Sequence, residues 1–120
     1  VVDDNIAVRE YLARLFEHIG CSTIQAANGA EAIPLSTTPG IDAIVMDLAM
    51  PVMDGLTATR LIKRNALTKH IPIIALSGGG RDADAAMALA EGCVKYYSKP
   101  VSANVIIAEV LHWVNADRAR

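Results

Sequence analysis

Hydrophobic and polar positions follow two alternating rhythms along this chain. Val8, Leu12, Leu15, Phe16 and Ile19 recur at spacings of three and four, which places them on one stripe of a helix that Gly20 should stop. Cys21 to Ala26, with β-branched Thr23 and Ile24, reads as a strand, and Asn28-Gly29 marks a turn. Ala30 to Leu35 is helical in composition, but Pro34 removes a backbone donor, so this second helix should be short or distorted. Ile41 to Met46 is apolar apart from Asp42 and is bounded by Gly40 and Asp47, as expected of a strand buried on both faces of a parallel sheet. Leu56, Thr59, Ile62 and Ala66 return to helical spacing. A second apolar strand, Ile71 to Leu76, with Pro72 near its start, then runs into Ser77 and three glycines. An alanine-rich helix over Asp82 to Glu91 stops at Gly92, Val94 to Tyr97 forms a short strand, and Ser102 caps a last helix reaching about Asn115.

The pattern is strand then helix, repeated five times. Short connections between such units favour parallel strands joined by right-handed crossovers, with helices covering both faces of the sheet. In that architecture ligands gather at the carboxyl ends of the strands. Polar residues stand at those ends here: Asp3 and Asp4 after the first, Asp47 after the third, Ser77 after the fourth and Lys99 after the fifth. Three carboxylates brought together must be neutralised or have their pKa values raised. An oxygen-rich, incomplete cage of this kind suits Mg²⁺, and an ionised Asp whose charge is screened is a credible nucleophile towards phosphorus. Asp47 is the central candidate.

Composition narrows the picture. At 120 residues and 52% hydrophobic content the chain should form one domain over 1–120 without staples, although Val1-Val2 is too short for a full first strand. The missing initiator Met and the abrupt start lead us to expect a fragment of something longer. Eleven basic and thirteen acidic residues give a net charge of −2 with no basic run, which argues against direct nucleic-acid binding. No apolar stretch approaches the roughly 20 residues that span a bilayer, so the expectation is no membrane insertion and a cytoplasmic location. Cys21 and Cys93 lack metal or redox spacing and read as reduced, buried thiols. His18, His70 and His112 are scattered and read as surface residues.

Val1-Val2-Asp3-Asp4-Asn5, Met46-Asp47-Leu48-Ala49-Met50-Pro51-Val52-Met53-Asp54-Gly55, Ser77-Gly78 and Lys99-Pro100 occur in order. Their spacing resembles that of response-regulator receiver domains over essentially the whole chain. The resemblance implies a flavodoxin-like, doubly wound α/β fold: a five-stranded parallel sheet in the order 2-1-3-4-5, flanked by five helices. It implies that Asp47 is the phosphoacceptor and that Asp4, Asp47 and the backbone carbonyl of Ala49 bind Mg²⁺, with Asp3 acting through water. Ser77 and Lys99 would contact phosphoryl oxygens, Gly78 would let that group approach the backbone, and Pro100 would follow a cis bond. With strands two and five on opposite edges, the cysteines stand four strand spacings apart, about 19 Å, beyond disulfide reach.

The resemblance also implies a histidine kinase or histidine phosphotransfer domain as donor, in a two-component phosphorelay. Catalysis would extend only to the domain's own phosphorylation and dephosphorylation. Ser77 and Tyr96 would form the switch, moving the face of helix four, strand five and helix five, where a partner or a second copy would dock. Gly78-Gly79-Gly80 would free the moving loop, and Ala83, Ala85, Ala86, Ala88 and Ala90 would allow close approach to that face. The plainer reading is that the alanines promote helix and that Val105, Ile106, Val110, Leu111 and Trp113 belong to the core. The opening and the segment after Asp47 look most like receivers fused to hybrid histidine kinases.

Ala49, two residues after Asp47, and Gly79, two after Ser77, are featureless where the family tunes access of water to the phosphorylated acid. Ala49 also argues against a phosphatase with an Asp nucleophile, which needs a second acid at that position. The acidic turn after the first strand argues against a flavin carrier. A receiver fold that binds partners without phosphorylation is the main alternative, and Asp54-Gly55 reads as the turn that launches helix three.

Overall fold

The computed structural model describes residues 1–78 and 82–118; Gly79 and Gly80 lie outside them, as does the side chain of Ala83. Among the described residues there are five helices: α1 (Ile6–His18), α2 (Gly29–Ser36), α3 (Gly55–Arg64), α4 (Asp82–Ala90) and α5 (Ala103–Arg118). Between them run three strands, β1 (Ile44–Asp47), β2 (Ile73–Ser77) and β3 (Lys95–Ser98), paired in parallel in the order β1-β2-β3.

The sheet therefore has three strands among the described residues, where five were expected. The two missing ones are reduced to bridges, since Val2 pairs in parallel with Ala26 on one side and with Met46 on the other. A ladder needs successive residues in register, and the segment before Asp3 pairs through Val2 alone. Cys21 to Ala26 accordingly finds one bridge partner and no strand.

Side-chain alternation along the strands divides the core into two layers. Ile44, Met46, Ile73 and Ala75 pack with Ala32, Ala58, Ile62 and Ala88 of α2, α3 and α4. Val45, Ile74 and Leu76 face the other way, onto Leu12 and Phe16 of α1 and Ile106 and Val110 of α5. Every residue of β1 and β2 is buried, which explains their unbroken apolar runs, whereas β3 is half-exposed.

Local chemistry sets the helix ends. The Asn5 side chain accepts hydrogen bonds from the N–H groups of Ala7 and Val8, Asn28 from Glu31, and Asp54 from Thr57 at 2.8 Å. Ser102 Oγ accepts from the Asn104 N–H at 3.2 Å, which makes it a cap as expected. Gly20 follows α1 with φ +96°, in the left-handed region that glycine occupies without strain. Pro34 lies inside α2, which lasts only eight residues. Two expected core positions lie elsewhere: Ile19 is the C-cap of α1 and is exposed, and Ala66 is exposed beyond the end of α3. In α5, Ile106 and Val110 are buried while Val105 is exposed.

Candidate functional site

The carboxyl end of the sheet collects the polar residues. Asp47 closes β1; its N–H donates to Val2 O at 2.9 Å, which ties the first segment to the strand carrying the acid. The chain then turns sharply, with the Leu48 N–H donating to Leu76 O and the Gly55 N–H to Leu48 O. Gly55 is needed there, because a Cβ on it would stand 2.8 Å from Leu48 Cα and closer still to the Asp47 carbonyl oxygen. Between them Val52 has φ +69° and is 84% exposed, a strained conformation for a β-branched residue.

Asp3 and Asp47 are only 2% and 4% exposed, and Asp4 is exposed at the mouth. The three offer carboxylate oxygens that all lie within 4.8 Å of one another. Lys99 Nζ stands 3.4 Å from Asp3 Oδ2 and 3.4 Å from Asp47 Oδ2. The other Asp47 oxygen accepts a hydrogen bond from the Ala49 N–H at 3.2 Å. Lys99 is held in turn by its own N–H, which donates to Ser77 O at 2.7 Å, and a cis peptide bond joins it to Pro100. Ser77 is buried at the end of β2, one residue beyond Leu76, the registered partner of Asp47.

These contacts leave the charges in tension. Burial is the largest influence on Asp47 and raises its pKa; the Ala49 N–H and Lys99 pull it down without cancelling that rise, and Asp3 adds to it. Burial opposes the charge on Lys99, but Asp47 and Asp3 more than offset it, so the ammonium titrates above its ordinary value. An all-oxygen donor set with more negative than positive charge is compatible with a hard divalent cation such as Mg²⁺.

Of the residues expected at the site, Asp3, Asp4, Asp47, Ala49 and Lys99 converge, and Ser77 ends the adjacent strand. Tyr96 lies two residues before Ser98, the registered partner of Ser77; it packs on the α3–α4 side, and its buried hydroxyl has no hydrogen-bond partner among the described residues. Arg9 was not foreseen, although its Nη1 donates to Asp3 O at 2.9 Å. The signal available was a cation one helical turn beyond the Asn5 cap. The three histidines are exposed, and both cysteines are free thiols.

Known proteins resemble this chain in sequence and fold. The family model described as "Response regulator receiver domain" matches residues 1–111. The chain is 36% identical over 115 residues to the CAI-1 autoinducer sensor kinase/phosphatase CqsS of Vibrio cholerae, covering 95% of this chain but 17% of that protein. It is 34% identical over 102 residues to the polar-differentiation response regulator DivK of Brucella anthropi, covering 85% of this chain and 83% of DivK. The Francisella response regulator 1452 receiver domain superposes with a TM-score of 0.89 at 28% identity, covering 97% of this chain and 94% of that one. The receiver domain of the Pseudomonas aeruginosa sensor histidine kinase PA1611, solved with a magnesium ion in its active-site cleft, gives 0.85 at 28% identity, covering 95% and 93%. Relatives thus include both sensor kinases, of which the chain spans a small part, and short regulators of nearly its own length. A family match across nearly the whole chain, on a sheet whose carboxyl edge carries the acids, places this protein in the response regulator receiver domain family.

Proposed function

We propose that Asp47 accepts a phosphoryl group from a phosphohistidine of a histidine kinase or histidine phosphotransfer domain. The observation that carries this reading is the buried Asp47 carboxylate, flanked at 3.4 Å by Lys99 and grouped with Asp3 and Asp4. An ionised Asp47 oxygen forms the new bond to phosphorus as the bond from phosphorus to the donor nitrogen breaks, and the imidazole leaves with that electron pair. Asp3, Asp4, Asp47 and the Ala49 carbonyl would hold Mg²⁺, which supplies charge screening for the phosphoryl oxygens. Lys99 adds a fixed positive charge, and the Ser77 hydroxyl provides a donor to one oxygen. Catalysis is confined to this transfer and to later hydrolysis of the aspartyl phosphate.

The new charge would bias Ser77 and Tyr96 and so the face of α4, β3 and α5. Met87 and Leu89 of α4 are exposed and give that face apolar contacts for a partner or a second copy. The five-strand order 2-1-3-4-5 belongs to the same reading: Val2 bridges Ala26 and Met46, the neighbours which that order requires. Among the described residues no helix is long and apolar enough to cross a membrane, in keeping with a cytoplasmic signalling role.

The test is intact mass after incubation with Mg²⁺ and acetyl phosphate. The expected result is a metal-dependent gain of one phosphoryl group that Asp47→Ala abolishes. No gain in folded protein would favour a binding module that works without phosphorylation. A gain surviving in the variant would move the nucleophile elsewhere.

A further inference from the structure

Every polar atom of Asp3 is engaged. Its N–H donates to Ala26 O at 3.1 Å, Oδ1 accepts from the Asn5 N–H at 2.9 Å, and Oδ2 faces Lys99 Nζ at 3.4 Å. The remaining atom, the carbonyl oxygen, accepts from Arg9 Nη1 at 2.9 Å. The same guanidinium donates through Nε to Gln25 Oε1 at 3.1 Å, one residue before the Ala26 carbonyl that already holds Asp3. Arg9 thus spans from the first turn of α1 across the Asp3 peptide to the neighbouring segment. Only a planar fork with several donors reaches both acceptors at once.

We propose that Arg9 is a positioning residue of the acid pocket: by tying the Asp3 carbonyl to Gln25 it fixes the aim of the Asp3 and Asp4 carboxylates towards a divalent cation. The link from Val2 to α1 is only Asp3, Asp4 and Asn5. Asp4 is exposed, so the placement of its carboxylate depends on the backbone at either side. A peptide free to rotate between Asp3 and Asp4 would turn the Asp4 carboxylate away from Asp47 and carry off the Asn5 N–H that steadies Asp3 Oδ1, leaving the Asp3 side chain to Lys99 alone. This role rests on the reading that these acids take Mg²⁺.

The sign of the effect separates positioning from simple charge. A positive group beside the pocket repels a cation, so if Arg9 acted through charge alone its removal would tighten Mg²⁺ binding. Positioning gives the opposite, since loss of a group that orients metal ligands weakens binding about tenfold. The experiment is calorimetric titration of Mg²⁺ into the wild-type chain, Arg9→Gln, Arg9→Lys and Gln25→Ala, each checked for an unchanged melting profile. Arg9→Gln should weaken binding about tenfold. Arg9→Lys, which keeps the charge but loses the fork, should fall nearly as far. Gln25→Ala removes one exposed anchor and should shift in the same direction by less; it carries the test if Arg9→Gln fails to fold. The Mg²⁺ concentration that half-saturates phosphorylation by acetyl phosphate should rise about tenfold in Arg9→Gln, in step with the calorimetric loss. Unchanged or tighter binding in folded Arg9→Gln, or in Gln25→Ala if that variant carries the test, would overturn the role of Arg9 while leaving the Mg²⁺ reading intact. Failure of the wild-type chain to take up Mg²⁺ would overturn both.

Discussion

The two ends of the sheet are built on opposite terms. At the carboxyl end, Asp3, Asp47, Ser77 and Lys99 are packed with polar contacts on every side, and Gly55 is there because no Cβ fits. At the amino end, a cavity of about 500 Å³ opens between Val1-Val2, Phe16, Cys21 to Ile24, Ile41 to Val45 and Val110. The carboxyl end fixes its side chains against one another, and the amino end borders open space beside Val1-Val2. Close packing around a charged pocket fixes ligand geometry before the ligand arrives.

Enlarging a side chain at each end should have effects of opposite sign. Gly55→Ala forces a Cβ against the Asp47–Leu48 backbone. Its expected cost is about 1–3 kcal/mol, read by urea denaturation, with weaker phosphorylation because the strand end carrying Asp47 must move. Ala43→Val at the cavity wall should stabilise by about 0.5–1 kcal/mol, as cavity-filling changes do. A loss of stability at Ala43 equal to that at Gly55 would mean that the two ends are packed alike.

The smallest expected effect is electrostatic. Because Asp47 binds its proton more tightly when folded, the unfolded chain releases that proton first as pH rises. Its contribution to stability is therefore full below the ordinary value of 3.8 and is lost as pH rises from there through the raised folded value. Glu91 and Glu109 have lowered pKa values, held by hydrogen bonds from Arg60 and Tyr97, and contribute the opposite slope. The difference between wild type and Asp47→Asn in urea denaturation across pH isolates the Asp47 part. The variant should gain relative stability as pH rises, and added Mg²⁺ should flatten that difference by favouring the ionised acid in the wild type. A difference independent of pH would show that burial does not govern Asp47.

Hydrophobic rhythm, composition and local stop signals together located all five helices and the three strands to within a few residues. Stripe spacing, capping residues such as Asn28, Asp54 and Ser102, and buried runs such as Ile73 to Leu76 are written in neighbouring residues. The same runs identified Asp47, Ser77 and Lys99 as residues at or just beyond strand ends. Contributions spanning long stretches of chain were not legible in this way. Lys99 meets Asp3 across 96 positions because the register Ser77↔Ser98 brings the end of β3 beside β2. Ile19 and Ala66 carry helical spacing yet are exposed, because their helices end one or two residues earlier. The expected second strand is a single bridge from Ala26 to Val2, a pairing that its own composition does not contain. Arg9 is an ordinary surface-type residue by sequence, and only the turn that returns the Asp3 carbonyl to α1 gives its guanidinium a target. Sequence determined which segments bury themselves and which polar groups stand at their ends, because those properties depend on local periodicity. Tertiary structure decided which of those groups touch, because contact depends on register and crossover between segments far apart in the chain.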